Sequence, residues 1–413
     1  MSDAIGIEDL GVYAGRASLD VAMLAEARGL NQARFANLLM RRKSLCAPWE
    51  DAVSFAVNAA RPVVAALAPA QRQAIELVIV ATESGLDWGK SAATYVHHHL
   101  ELPKHCRLFE VKQACYGGTA ALQMAAAMVA ASPNPEARAL VIATDLGRPV
   151  PHSYAEPSQG SAAVALLVSR NPVVLALESG ASGVHGYEVM DACRPTPEIE
   201  TGDADLSVLS YLDCLEHSFR AYVAQQPGVD FVSHFSRLAW HTPFGGMVKG
   251  AHRNMMRKFR QAPPSAAEAD FEARLRGSLL FCQEVGNIYS GTVFLALAGA
   301  LASSDFAPQG PERIGLFSYG SGCCSEFYSG LADARSAAAV RARGIGAALQ
   351  ARRPMDMPRY EALIARTRDG LVGTKQITVA RDGLEQLWEE GFSGTGLLVL
   401  DRIENYQRRY RWA

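Results

Sequence analysis

The chain has 413 residues, is 49% hydrophobic and 20% charged, and carries a net charge of −2. That balance excludes a disordered, collagenous or coiled-coil chain and offers no basic excess for nonspecific nucleic-acid binding. The apolar stretch near 293–302 falls well short of the ~20 residues of a membrane helix, and the start MSDAIGIEDLG has no charged-then-apolar leader pattern, so a cytoplasmic protein without a membrane partner is expected.

Taken in chain order, the patterning predicts a helix over 48–67, strands over 76–81 and 107–111, and a helix over 118–131. Strands follow over 139–144, 162–168 and 173–179, then a helix over 208–225 and a strand over 231–239. Helices over 268–282 and 290–302 precede a strand over 313–319, an Ala/Arg-rich helix or linker over 335–353 and a last strand over 396–400. Strands alternating with helices predict a parallel or mixed sheet covered on both faces. Each half of the chain holds several such units, which allows an internal duplication, although no periodic motif displays one.

Several chemistries are absent as motifs. No G-x-x-x-x-G-K-[ST], H-E-x-x-H, G-x-S-x-G or C-x-x-C occurs. The triplet His97-His98-His99 reads as a solvated helix end, because consecutive helical residues point in different directions and share a metal poorly. No metal is expected.

Among eight scattered cysteines, Cys115 stands out. An apolar run leads into it, and Gly117-Gly118 and an Ala-rich helix follow. A cysteine beside a helix N-terminus is expected to be held toward the thiolate. By this local pattern alone, a nucleophile and a packed core cysteine both remain open. A nucleophilic cysteine needs a proton partner. Glu83 ends the strand IELVIVA, and His241 ends an apolar run before a Pro/Gly loop; an exposed carboxylate and a structural imidazole are the plain alternatives. Two Gly-rich loops, around Asn287 and Ser321, could set backbone N–H groups against a developing oxyanion.

These segments resemble one family. TESG, KQACYGGTAAL, YAEPSQGSAAVALL, HTPFGGMVK, EVGNIYSGT and LFSYGSGCCSEFYSG stand in the order and spacing of hydroxymethylglutaryl-CoA synthases. The likeness continues through ARRPM to LDRIENYQRRYRW and so covers nearly the whole chain. It implies an α/β thiolase fold spanning 1–413, with similar halves over 1–170 and 171–413, and a homodimer. It further implies that Cys115 takes an acetyl group as a thioester, that Glu83 removes a proton from the acetyl methyl, and that His241 assists the acceptor ketone and its alkoxide. By the same resemblance Asn287 lies near the acceptor and the Ser321 amide joins that of Cys115 in an oxyanion hole. Tyr154, Ser158 and Lys249 match positions near the acyl chain or its pantetheine arm. Ser161-Ala162-Ala163 and Gly245-Gly246 depart from what many relatives carry.

Within the family, FEVKQACYGGTA and the opening IGIEDLGVYAG resemble the group that installs β-branches on polyketides. That group adds acetyl from a donor acyl carrier protein to a β-ketoacyl chain on an acceptor carrier. The substrates ride on phosphopantetheine, and no other cofactor is implied. The alternatives are a mevalonate-pathway enzyme using acetyl-CoA and acetoacetyl-CoA, and a non-catalytic binding partner, which intact Cys115, Glu83 and His241 argue against. Carrier proteins are acidic, so a basic docking surface is expected at Arg41, Arg42 and Lys43 or at Arg253, Arg257 and Lys258.

Overall fold

The structure is a computed structural model and describes residues 4–31, 35–153, 155–197, 199–306 and 310–413. Its backbone is a nine-stranded mixed sheet. In chain order the strands are β1 (Gly6–Tyr13), β2 (Ile75–Ala81), β3 (Arg107–Val111), β4 (Arg138–Leu146), β5 (Ser161–Ser169) and β6 (Leu175–Gly186). A separate hairpin, β7 (Ala192–Thr196) and β8 (Ile199–Gly202), is followed by β9 (Arg237–Trp240), β10 (Glu312–Gly320) and β11 (Cys324–Ala332). The sheet order is β9-β10-β11-β6-β1-β5-β4-β2-β3.

One pairing pattern occurs twice in that order. In the first half β3, β2 and β4 are parallel, β4 pairs antiparallel with β5, and β5 antiparallel with β1. In the second half β9 and β10 are parallel, β10 pairs antiparallel with β11, and β11 antiparallel with β6. The halves meet where Gly6 and Ile7 of β1 pair with Ala176 and Leu175 of β6.

Both faces of the sheet are covered, which is why β2 reads as a continuous apolar run rather than an alternating one. Leu77, Ile79 and Ala81 pack against α2 (Gly117–Ala131) and α5 (Thr292–Ala302). Val78 and Val80 face the opposite way, onto Phe55, Ala56 and Ala59 of α1 (Ala52–Ala65). Asp51 starts α1 with a capping box to Ser54. A third apolar cluster joins β9–β11 to α3 (Ala204–Gln225) and α4 (Gly245–Arg260), with Trp240, Phe317 and Phe327 fully buried. The stretch Ala114–Ala131 is long and apolar enough by composition alone to cross a membrane. Here it is a core helix, since Ala121, Leu122, Ala125 and Val129 are buried in the same cluster as α5.

Most expected elements stand, and the exceptions have local causes. Residues 231–235 are not a strand: Asp230 accepts the N–H groups of Val232 and Ser233 and bends the chain, so that only Arg237–Trp240 is extended. The expected helix over 268–282 is two helices, Pro264–Arg274 and Leu279–Val285, interrupted at Arg276–Ser278. The 335–353 run is a pair of short helices, Ala334–Ala342 and Ile345–Gln350. Of the His triplet, only His98 is exposed; His97 bonds the Pro103 carbonyl at 2.9 Å and the His99 ring packs edge-on to Tyr410. Among the described residues no group of three or more His, Cys, Asp or Glu could hold a metal.

Candidate active site

Two loops stand at the site, one before each central helix. Cys115 lies just before α2, and Asn287 lies before α5. Each loop carries a non-glycine residue in the left-handed region, Ala114 at φ 43° and Tyr289 at φ 50°. Such residues cluster at functional sites because the surrounding structure must enforce them. A third loop arrives from the end of β10. A Cβ at Gly320 would stand 2.5 Å from the Gln113 carbonyl oxygen and 2.7 Å from the Tyr116 amide nitrogen. Only glycine lets this strand end lie on the Cys115 turn, and Ser321 follows it.

These loops open onto one cavity of about 1420 Å³ lined by Glu83, Cys115, His241, Asn287, Ser321 and Ser158. The Cys115 thiol points at Glu83, with Sγ 3.6 Å from Oε1. The Glu83 carboxyl is pushed up to about 8, by burial first and by Asp145 and Glu200 next, with Arg194 opposing. Burial and the Glu83 carboxylate hold the Cys115 thiol well above its ordinary value. The expected thiolate is therefore corrected: a helix end contributes only about 0.3–1 kcal/mol, less than desolvation beside a carboxylate. Cys115 rests as a thiol, and its proton has an acceptor in reach.

His241 is 1% exposed, and burial lowers its imidazole to about 3, so the ring is neutral. Its peptide is pinned at both ends: its N–H donates to the Phe317 carbonyl at 2.7 Å, and Tyr211 Oη donates to its carbonyl at 2.7 Å. A neutral imidazole is a hydrogen-bond donor rather than a strong acid. Asn287 is oriented by its amide oxygen, which accepts from the Tyr289 N–H at 2.9 Å and the Thr292 hydroxyl at 3.1 Å. Its amide nitrogen is left as the donor available to the cavity.

The remaining expectations divide. Tyr154 lies outside the described residues. Ser158 lines the cavity, with its hydroxyl donating to the Ala155 carbonyl at 3.1 Å. Lys249 does not line it; its ammonium pairs with Glu268 at 2.5 Å on the flank of α4. Gly246 explains one departure in HTPFGGMVK: a Cβ there would stand 1.9 Å from the Asn37 carbonyl oxygen. Of the basic groups, Arg41 and Arg42 both lean on Glu284, at 3.8 and 3.4 Å. Lys43 is 1% exposed and donates to the Glu156 carbonyl, so burial removes it from any docking surface. Lys258 pairs with Glu216, whereas Arg253 and Arg257 are exposed without an acidic partner among the described residues.

Three groups in the site were not anticipated. Asp145 is fully buried and ties the Glu83 loop to the Asn287 loop. Arg194 and Glu200, from the β7–β8 hairpin, line the cavity beside Glu83. The segment CRPTPEIETG carries no regular periodicity, and only its alternation of charge with proline hinted at a built loop.

Known proteins resemble this chain over nearly its whole length. Models of the hydroxymethylglutaryl-coenzyme A synthase N-terminal and C-terminal regions match residues 1–172 and 254–411. The polyketide biosynthesis 3-hydroxy-3-methylglutaryl-ACP synthase PksG of Bacillus subtilis is 47% identical over 98% of this chain and 99% of its own length. The hydroxymethylglutaryl-CoA synthase of Enterococcus faecalis is 33% identical over 88% of this chain and 92% of its own. The crystal structure of the curacin biosynthetic pathway HMG synthase in complex with acetyl donor-ACP superposes with a TM-score of 0.96 at 49% identity, covering 99% of this chain and 100% of that one. The chain belongs to the hydroxymethylglutaryl-CoA synthase family. It is an acyltransferase with a thiolase-like fold.

Proposed function

We propose that the protein adds a Cys115-bound acetyl group to the β-ketone of a β-ketoacyl chain borne on an acyl carrier protein, giving a hydroxymethylglutaryl-like β-branch. The observation that carries the chemistry is the 3.6 Å approach of Glu83 to the Cys115 sulfur within a cavity shared with His241. The higher likeness to PksG than to the CoA-using enzyme of Enterococcus faecalis favours carrier-bound substrates over free CoA esters.

The steps follow from the groups present. The acetyl carbonyl passes from the donor's phosphopantetheine sulfur to Cys115, and the Cys115 proton passes to the departing pantetheine sulfur. Glu83 then takes a proton from the acetyl methyl, which lies within one bond of the thioester carbonyl. The developing enolate oxygen is met by the Cys115 and Ser321 amides. The new C–C bond forms at the acceptor ketone carbon, the His241 N–H and the Asn287 amide stabilise the resulting alkoxide, and the alkoxide takes up a proton in place of the one that Glu83 removed from the methyl. Water cleaves the Cys115 thioester, freeing the thiol and a new carboxylate. Storing acetyl on the enzyme between two half-reactions gives ping-pong kinetics.

Carrier docking falls to Arg253 and Arg257, one turn apart on an exposed face of α4. The reading is tested by offering acetyl-carrier protein or acetyl-CoA as donor, with a β-ketoacyl carrier protein as acceptor, and recording the acceptor's intact mass. The acceptor gains the elements of acetic acid, faster with the carrier donor. Faster turnover of acetyl-CoA with acetoacetyl-CoA returns the protein to the mevalonate-type reaction.

A further inference from the structure

Beside Glu83 stands a cation that no step above uses. The Arg194 side chain is 15% exposed, with Nη2 2.6 Å from Glu200 Oε2 and 4.0 Å from Glu83 Oε2. Its guanidinium carbon lies over the Tyr289 ring at 5.0 Å, and Tyr289 Oη sits 3.4 Å from Glu200 Oε2. The pairing of β7 with β8 joins the strand carrying Arg194 to the strand carrying Glu200. The guanidinium is thus fixed by an acid and a ring before it meets Glu83. The two Glu83 oxygens have different neighbours: Oε1 faces the Cys115 sulfur and Oε2 faces Arg194.

We propose that Arg194 is a positioning residue for the base: it holds one Glu83 oxygen so that the other meets the Cys115 thioester, and its charge favours the carboxylate that accepts a proton from the acetyl methyl. The inference rests on Glu83 acting as that base.

The electrostatics of the site require such a group. The charged and titratable groups facing Glu83 are Cys115 before α2, Asp145 of β4, Glu200 of β8, Arg194 of β7 and Tyr289 before α5. Three carboxyls therefore share this region with Arg194, and a second guanidinium, Arg148, lines the same cavity. Burial, Asp145 and Glu200 all favour the neutral acid at Glu83, and Arg194 favours the carboxylate. Arginine suits the task because it stays charged when partly buried and its planar fork can serve two carboxylates at once. An arginine that merely tied down the β7–β8 hairpin would leave the ionisation of Glu83 alone, and this separates the two roles experimentally.

The test is the pH profile of kcat/KM for condensation in wild type, Arg194→Met, Arg194→Lys and Glu83→Gln. Loss of an opposite charge at this distance moves a carboxyl by about one pH unit or more. In Arg194→Met the acidic limb moves upward by that amount, condensation below the limb falls about tenfold or more, and the rate recovers toward wild type at high pH. Arg194→Lys keeps the charge and moves the limb less. An unmoved limb in Arg194→Met, or Lys no better than Met, overturns the proposal while inactive Glu83→Gln leaves the base in place. Glu83→Gln that condenses normally removes the base itself, and this role with it. Should Arg194→Met fail to fold, Arg194→Gln, which can still donate to Glu200, carries the same comparison.

Discussion

The carboxylate of Asp145 accepts the main-chain N–H of Glu83 at 2.7 Å. The same side chain accepts the Thr82 hydroxyl at 3.0 Å and, through its other oxygen, the Ser290 hydroxyl at 2.6 Å. One buried carboxylate thereby fixes the base loop of the first half against the Asn287 loop of the second. The Glu83 loop is irregular and Ser290 sits in a single 3-10 turn, Tyr289–Gly291, so Asp145 supplies the registration between them.

Removing it has two consequences. Asp145→Ala leaves several buried donors without an acceptor, each costing about 1–3 kcal/mol and not additively. The melting temperature falls, and condensation falls further than acetyl loading because Glu83 is released. Asp145→Asn keeps one acceptor oxygen and loses less of both. Wild-type melting together with wild-type condensation in Asp145→Ala would contradict this account.

Glu83→Gln loads acetyl on Cys115 but condenses about 10²–10⁴-fold more slowly, the usual cost of a lost general base. The sign of the pH dependence follows from burial. Because Glu83 is pushed up to about 8, its carboxylate form grows as pH rises through that value, and the condensation rate grows with it. His241, lowered to about 3, stays neutral throughout and adds no limb near its ordinary value. His241→Ala loads acetyl and is impaired with acceptor. A condensation rate flat through pH 8 is the outcome that opposes the assignment of Glu83.

Arg253 and Arg257 are exposed and one turn apart, while Lys258, Arg41 and Arg42 already have acidic partners. Reversing Arg253 and Arg257 to Glu lowers the preference for acetyl-carrier protein over acetyl-CoA, and the difference shrinks with added salt as surface charges are screened. Equal slowing of both donors would place carrier docking elsewhere. A competing reason for the basic cluster also exists, since Arg257, Lys258 and Arg260 sit in the last turn of α4, where cations favour the helix dipole.

The sequence was most legible where burial is symmetrical. β2, β4 and β5 are covered on both faces and read as apolar runs over 77–81, 139–143 and 162–168. β1 lies at the centre of the sheet, yet it carries Glu8, Asp9 and Gly11 and shifts register between Ile7 and Asp9, so its pattern was unreadable. The recurring pairing pattern was hidden because it resides in strand order rather than in a repeated motif. Cys115, Glu83, His241, Asn287 and Ser321 line one cavity; local pattern singled out the first three and the two Gly-rich loops, and the family resemblance supplied the roles. Arg194, Glu200 and Asp145 were not legible: two lie on a short exposed hairpin, and Asp145 ends a strand whose apolar neighbours mask it. The thiolate expectation failed for a related reason, because a local helix-end argument omits the distant carboxylate that packing brings to 3.6 Å.

The account stands on Cys115 carrying the acetyl group between two half-reactions. Incubation with acetyl donor in the absence of acceptor, followed by intact mass and peptide mapping, measures this directly. The protein gains a single acetyl group, located on Cys115, which disappears when acceptor is added and is absent from Cys115→Ser. Acetylation that persists in Cys115→Ser, or condensation by that variant at the wild-type rate, would contradict the account.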